Sequence, residues 1–134
     1  MPFYECRFTE GMLDKDQKAE LAKAITDIHV RNTGAAEYFV HVFMTDVRTE
    51  DGYVAGRPQK LGTIFARIRA GRTDETKHTM MRELTAAASR ISGLPLDDTI
   101  AVFQDVPATY IMNGDKLAPE PGEDAQWLGK GKNT

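Results

Sequence analysis

The chain is poor in cysteine, and its single thiol, Cys6, excludes an internal disulfide framework. No cysteine and histidine cluster has the spacing of a zinc site, and no recognisable cofactor motif occurs, so no metal and no cofactor are expected. No apolar run approaches the roughly 20 residues that a membrane helix needs. The opening PFYECRF carries neither the charged n-region nor the apolar h-region of a leader. A reduced, cytoplasmic protein without membrane contact is therefore expected. Cations are also short: 17 Lys and Arg stand against 20 Asp and Glu, giving a net charge of −3. They are dispersed along the chain, which argues against a nucleic-acid partner. What the chain does have is 134 residues with 41% hydrophobic side chains, enough for one domain around a real core.

The residue with the most chemical content is Pro2. If Met1 is removed, Pro2 becomes a secondary amine at the chain end, with a starting pKa near the roughly 7.7 to 8.0 of α-amino groups. Burial or nearby cations disfavour its charged form and bring it into the range of an acid or base near neutrality. A Met-Pro start also arises merely because proline permits methionine removal. If Met1 stays, the Pro2 nitrogen is an amide without basicity.

Along the chain, residues 2–8 read as a strand, and Asp14 caps a helix through KDQKAELAKAITDIHVR that stops near Gly34. YFVHVFMTDV reads as a second strand, and the Gly-, Pro- and charge-rich RTEDGYVAGRPQK as an excursion or hairpin. TIFARIRA is a third strand, and Thr73 opens a second helix, DETKHTMMRELTAAASRIS, ending at Gly93. TIAVFQDV is a fourth strand, PATYIM a short helical turn, and LAPEPGEDAQWLGKGKNT a polar tail anchored by Trp127. Thr26 and Thr85, Gly34 and Gly93, and Asp46 and Asp105 are all 59 positions apart. The chain thus reads as one domain over 1–134 with β-α-β repeats at about 2–47 and 62–106, an excursion at 48–61 and a tail at 107–134. Right-handed crossovers make the strands of each unit parallel, predicting an α+β fold with a four-stranded sheet and both helices on one face.

In the second strand Tyr38, Val40, Val42 and Met44 alternate with Phe39, His41, Phe43 and Thr45, so both sheet faces carry apolar bulk. Two helices cover one face only. The other is expected to be buried in a closed homo-oligomer, a trimer being one such ring.

MPFY, AKAITDIH with the Thr33-Gly34 that follows, TIF with the downstream RAGR at 69–72, and LAPEPGEDAQW span nearly the whole chain. In these stretches the chain resembles the tautomerase superfamily and, within it, the cis-3-chloroacrylic acid dehalogenase group, whose members fuse two β-α-β units and form homotrimers. The resemblance implies Pro2 as the acid/base amine, His29 as a group that orients substrate or contacts water, and Arg69 and Arg72 as binders of a substrate carboxylate. Two guanidiniums suit that task, because each offers a bidentate fork and together they discourage protonation of a neighbouring amine. Arg69 lies at a strand end and Arg72 before a helix N-terminus, where the dipole also favours an anion. Without the resemblance, RAGR reads as a pair of solvated turn arginines and His29 as a structural residue on an apolar helix stripe. His41 reads as a packing or interface residue, His78 as solvent-facing, and Cys6 as a small buried hydrophobe.

The chain departs from the dehalogenase pattern in its second half. The group's water-positioning tyrosine falls at Val102, and its water-activating glutamate at Met112 or Asn113, none of which can take a proton from water as a carboxylate does. Tyr110 and Tyr4 are candidates to supply a phenol from another direction, although nothing in their spacing demands it. The expected activity is cofactor-independent tautomerisation of a small 2-oxo, enol or unsaturated carboxylate. The alternatives are hydration or hydrolytic dehalogenation of cis-3-haloacrylates, and a non-catalytic oligomeric ligand-binding relic of the fold.

Overall fold

A computed structural model describes residues 1–131, and residues 132–134 lie outside it. Four strands form the main sheet: β1 (Phe3–Thr9), β2 (His41–Val47), β5 (Gly62–Arg69) and β6 (Thr99–Val106). Two-residue ladders pair β3 (Tyr53–Val54) with β4 (Arg57–Pro58), and β7 (Met112–Asn113) with β8 (Lys116–Leu117). Three helices complete the chain: α1 (Lys15–Thr33), α2 (Asp74–Ser92) and α3 (Asp124–Gly131). Among the described residues no helix is long and apolar enough to cross a membrane.

The helices begin and end where local chemistry dictates. Asp14 accepts from the Gln17 N–H at 2.8 Å while the Gln17 side chain accepts from the Asp14 N–H at 2.9 Å, a reciprocal capping box for α1. Thr73 caps α2 through the Thr76 N–H at 3.1 Å. Both helices stop at a glycine in the left-handed region, Gly34 at φ 71° and Gly93 at φ 82°, which a β-carbon would disfavour.

The sheet order is β2-β1-β5-β6, with β1 parallel to β2, β5 parallel to β6, and β1 antiparallel to β5. Two β-α-β units therefore meet at the centre of the sheet. Tyr4, Cys6 and Phe8 of β1 alternate with Ile64, Ala66 and Ile68 of β5 to form one buried face, against which Leu21, Ile25 and Ile28 of α1 and Met80, Leu84 and Ala88 of α2 pack. The opposite face carries Phe43, Ile100 and Val102, each 42% exposed or more. The expectation of an α+β sheet with both helices on one face holds.

The repeat runs further than the sequence suggests. The excursion 48–61 and the start of the tail fold alike: a 3-10 turn at Thr49–Asp51 and the β3–β4 ladder recur, 59 positions on, as a turn at Ala108–Tyr110 and the β7–β8 ladder. Even an ion pair recurs, Lys18 with Asp46 at 3.0 Å and Lys77 with Asp105 at 3.1 Å. What has no counterpart in the first half is α3, formed where a polar tail was expected.

One strand boundary also differs. The second strand was expected from Tyr38, but Glu37–Phe39 form a 3-10 turn in which Phe39 N–H bonds Ala36 O and Val40 N–H bonds Glu37 O. The turn sends Phe39 into a second core instead of into the sheet pattern. That core gathers Met1, Phe39, Ala108, Ile111 and Ala118, with Trp127 and Leu128 of α3 against it.

Candidate active site

The site is built around the start of the chain. Parallel pairing of β1 with β2 continues one residue beyond β1, since the His41 N–H donates to the Pro2 carbonyl at 3.1 Å. Pro2 is consequently fixed and buried, and Met1 before it is 2% exposed. The terminal amine on Met1 has its pKa pulled down from 8.0 to about 5, by burial first and then by the positive charges of Arg69 and Arg72, with Asp124 acting in the opposite direction. An amine so placed is neutral at pH 7 and has a free lone pair.

His29 reaches the same region from α1, on the stripe that also buries Leu21, Ile25 and Ile28. Its Nδ1 lies 2.8 Å from the hydroxyl of Tyr4, which alternates inward with Cys6 and Phe8 along β1. Burial lowers the imidazole to about 3, and Arg72, the terminal amine and Arg69 push it the same way. Burial likewise raises the Tyr4 phenol well above its ordinary range. Imidazole and phenol are therefore a neutral hydrogen-bonded pair, suited to orient a substrate or relay a proton and unsuited to serve as a fixed charge.

Arg69, the last residue of β5, is 1% exposed and meets a carboxylate of the chain itself. Its two terminal nitrogens donate to the two oxygens of Asp124, at 2.7 and 3.1 Å, and one of them also to the Pro119 carbonyl at 2.8 Å. Its guanidinium carbon stands 5.6 Å from the centre of the Phe39 ring. Asp124 accepts in addition from the Ala36 N–H at 2.9 Å. Burial pushes the Asp124 carboxyl up, but hydrogen bonds from Arg69 and Ala36, with the Arg69 charge, more than offset this and hold it below its usual range. Arg72 is half-buried just before the α2 cap and donates to the Arg69 carbonyl at 3.3 Å. Burial and the Arg69 charge lower its pKa. Among the described residues it has no ion-pair partner.

A model of the family described as "putative oxalocrotonate tautomerase enzyme" matches residues 1–92. The chain belongs to this family. Its fold is shared with native Ps01740, which is 32% identical over 83% of this chain and 99% of the other, with a TM-score of 0.80. N1, described as a member of the cis-3-chloroacrylic acid dehalogenase family, is 26% identical with a TM-score of 0.86, over 95% of this chain and 90% of the other. A fused 4-OT solved as a symmetric trimer, Q0, is 26% identical with a TM-score of 0.80, over 87% of this chain and 94% of the other. No curated protein matches the chain.

Of the residues singled out from sequence, His29, Arg69 and Arg72 lie together around the N-terminus, each acting electrostatically on its amine or acted on by it. Val102 stands apart on the outer sheet face, 42% exposed, and Met112 is 59% exposed on β7. His78 is exposed, His41 is exposed with its ring edge-on to Phe3 at 5.2 Å, and Cys6 is buried, where desolvation lifts its thiol to about 12. Sequence reasoning missed Asp124. The only local signal for it is its place in GEDAQW, ahead of the anchoring tryptophan, whose ring stands 5.3 Å from that of Phe39.

Proposed function

We propose that the protein is a cofactor-independent tautomerase acting on a small 2-oxo, enol or unsaturated carboxylate, with Pro2 as its acid/base amine once Met1 is removed. The observation that carries this reading is the position of the chain start: a buried amine, kept neutral, beside two guanidiniums and a neutral imidazole. Loss of Met1 moves the amine inward by one residue, about 3.8 Å along the chain. Pro2 is itself buried, with its carbonyl held by the His41 N–H. In the reaction the amine takes the enol hydroxyl proton and delivers a proton to the adjacent carbon as the C–O bond becomes a carbonyl, with no net gain or loss of protons. Arg72 is the direct anchor for the substrate carboxylate. Arg69, whose fork Asp124 fills, contributes its field and the placement of α3, and takes a share of the carboxylate only if Asp124 is displaced. His29, fixed by Tyr4, orients the substrate.

Hydration or dehalogenation of a cis-3-haloacrylate is the second reading, favoured by the likeness to N1. Against it stands the lack of a carboxylate at Met112 and Asn113. A homotrimer is the assembly we favour, supported by the exposed Phe43, Ile100 and Val102 and by the trimeric fused 4-OT. The test of the main reading is ketonisation of phenylenolpyruvate followed in the ultraviolet, with intact mass verifying the loss of Met1. An uncleaved extension ahead of Pro2 turns its nitrogen into an amide and is expected to abolish turnover. Full activity in the extended chain would sink the proposal.

A further inference from the structure

Chain ends ordinarily fray, yet the Met1 side chain is 2% exposed. It fills an apolar compartment walled by Phe39, Ala108, Ile111 and Ala118, with Trp127 packed against them. Three of these walls, Ala108, Ile111 and Ala118, come from the segment that follows β6, and Trp127 from α3, the element without a counterpart in the first repeat. Trp127 is itself pinned by its indole N–H to the Leu117 carbonyl at 2.8 Å. The second half of the chain has thus built a lined space around the first residue. Met1 is an unbranched side chain of four heavy atoms, with a thioether in place of a methylene, so the space it fills fits a linear or flat apolar group of that length.

The charge set against the Phe39 wall of the compartment is also selective. Of the two guanidiniums, Arg69 is matched by Asp124 through two hydrogen bonds and Arg72 is matched by no carboxylate among the described residues. A ligand meets one uncompensated cation. A second carboxylate at the far end of the apolar chain would enter the apolar compartment unpaired, and one placed near Arg69 would meet the Asp124 carboxylate; both are costly.

We infer that the substrates are enol or 2-oxo monocarboxylates carrying an apolar chain about as long as a methionine side chain. Ala108, Ile111, Ala118 and Trp127 receive the chain, and Asp124 excludes dicarboxylates. The inference rests on the assignment of Pro2 and Arg72 above and names the substrate class of that same site.

Saturated monocarboxylates from butanoate to decanoate probe the compartment without any proton transfer. Titrated calorimetrically into the processed chain, they should tighten about fourfold per methylene until the Met1 space is filled, then level off. Heptanedioate should bind at least tenfold more weakly than heptanoate, and Asp124→Asn should narrow that gap. Ala118→Leu should shift the levelling to shorter chains, and the chain that retains Met1 should lose the length dependence. The wild-type length series and the dicarboxylate comparison decide the matter even if a variant fails to fold. Flat affinity across lengths, or equal binding of heptanoate and heptanedioate, in a preparation that ketonises phenylenolpyruvate overturns this inference and leaves the Pro2 assignment standing. Absence of both binding at every length and turnover overturns both.

Discussion

Replacing Asp124 by Ala removes the partner of a guanidinium that is 1% exposed. Two charge-assisted hydrogen bonds disappear, and the Ala36 N–H loses its acceptor. Breaking a buried pair from one side typically costs about 3 to 5 kcal/mol, mostly the penalty of leaving a charge buried alone. Here the Pro119 carbonyl and the Phe39 ring remain as partial partners, and α3 is a short helix of 8 residues. We therefore place Asp124→Ala at the low end, about 3 kcal/mol. Asp124→Asn, which can still accept from Ala36, should cost about 2 kcal/mol. Urea unfolding at one fixed protein concentration measures both, since assembly would otherwise shift the midpoint. The double variant Arg69→Met with Asp124→Leu should be less damaged than either single change, because it leaves no unpaired charge. Asp124 also raises the pKa of the terminal amine, so its neutralisation should lower that pKa and move the acid limb of the pH profile for ketonisation to lower pH. A loss below about 1 kcal/mol for Asp124→Ala, or an acid limb that moves upward, refutes the reasoning.

Three further outcomes follow from the structure. His29 is neutral in the fold, with its pKa lowered from 6.5 to about 3, so the unfolded chain binds the extra proton between those values. Its contribution is intact above pH 6.5 and is lost as pH falls toward 3, and His29→Gln should flatten unfolding free energy across that window; an unchanged slope counts against the assignment. On the outer sheet face, Val102→Lys should shift light scattering toward smaller species, whereas a wild-type chain already monomeric at low micromolar concentration removes the trimer proposal. Finally, turnover of cis-3-chloroacrylate should lie far below ketonisation in the same preparation, because Met112 and Asn113 cannot activate water. Brisk dehalogenation would move the second reading to first place.

Features whose causes are local were legible in the order of residues. Asp14 and Thr73 start helices, Gly34 and Gly93 end them, and alternating apolar residues in TIFARIRA and TIAVFQDV mark strands, each by chemistry acting within a few residues. The 59-residue spacing then ordered those elements into two like units. His29, Arg69 and Arg72 became candidates through the family resemblance that AKAITDIH and RAGR carry, since their own spacing reads as a structural histidine and solvated turn arginines.

How their charges are distributed depends on contacts that folding makes. Asp124 lies 55 positions from Arg69, and Tyr4 lies 25 from His29, so no local pattern reports either contact. The same holds for Phe39, whose 3-10 turn turns an apparent strand residue into a wall of the compartment around Met1. A guanidinium's fork can be filled by any carboxylate that the fold brings within reach, and an amine's pKa depends on every charge and on the water excluded around it. Both are properties of spatial neighbourhood, which chain order specifies only through folding.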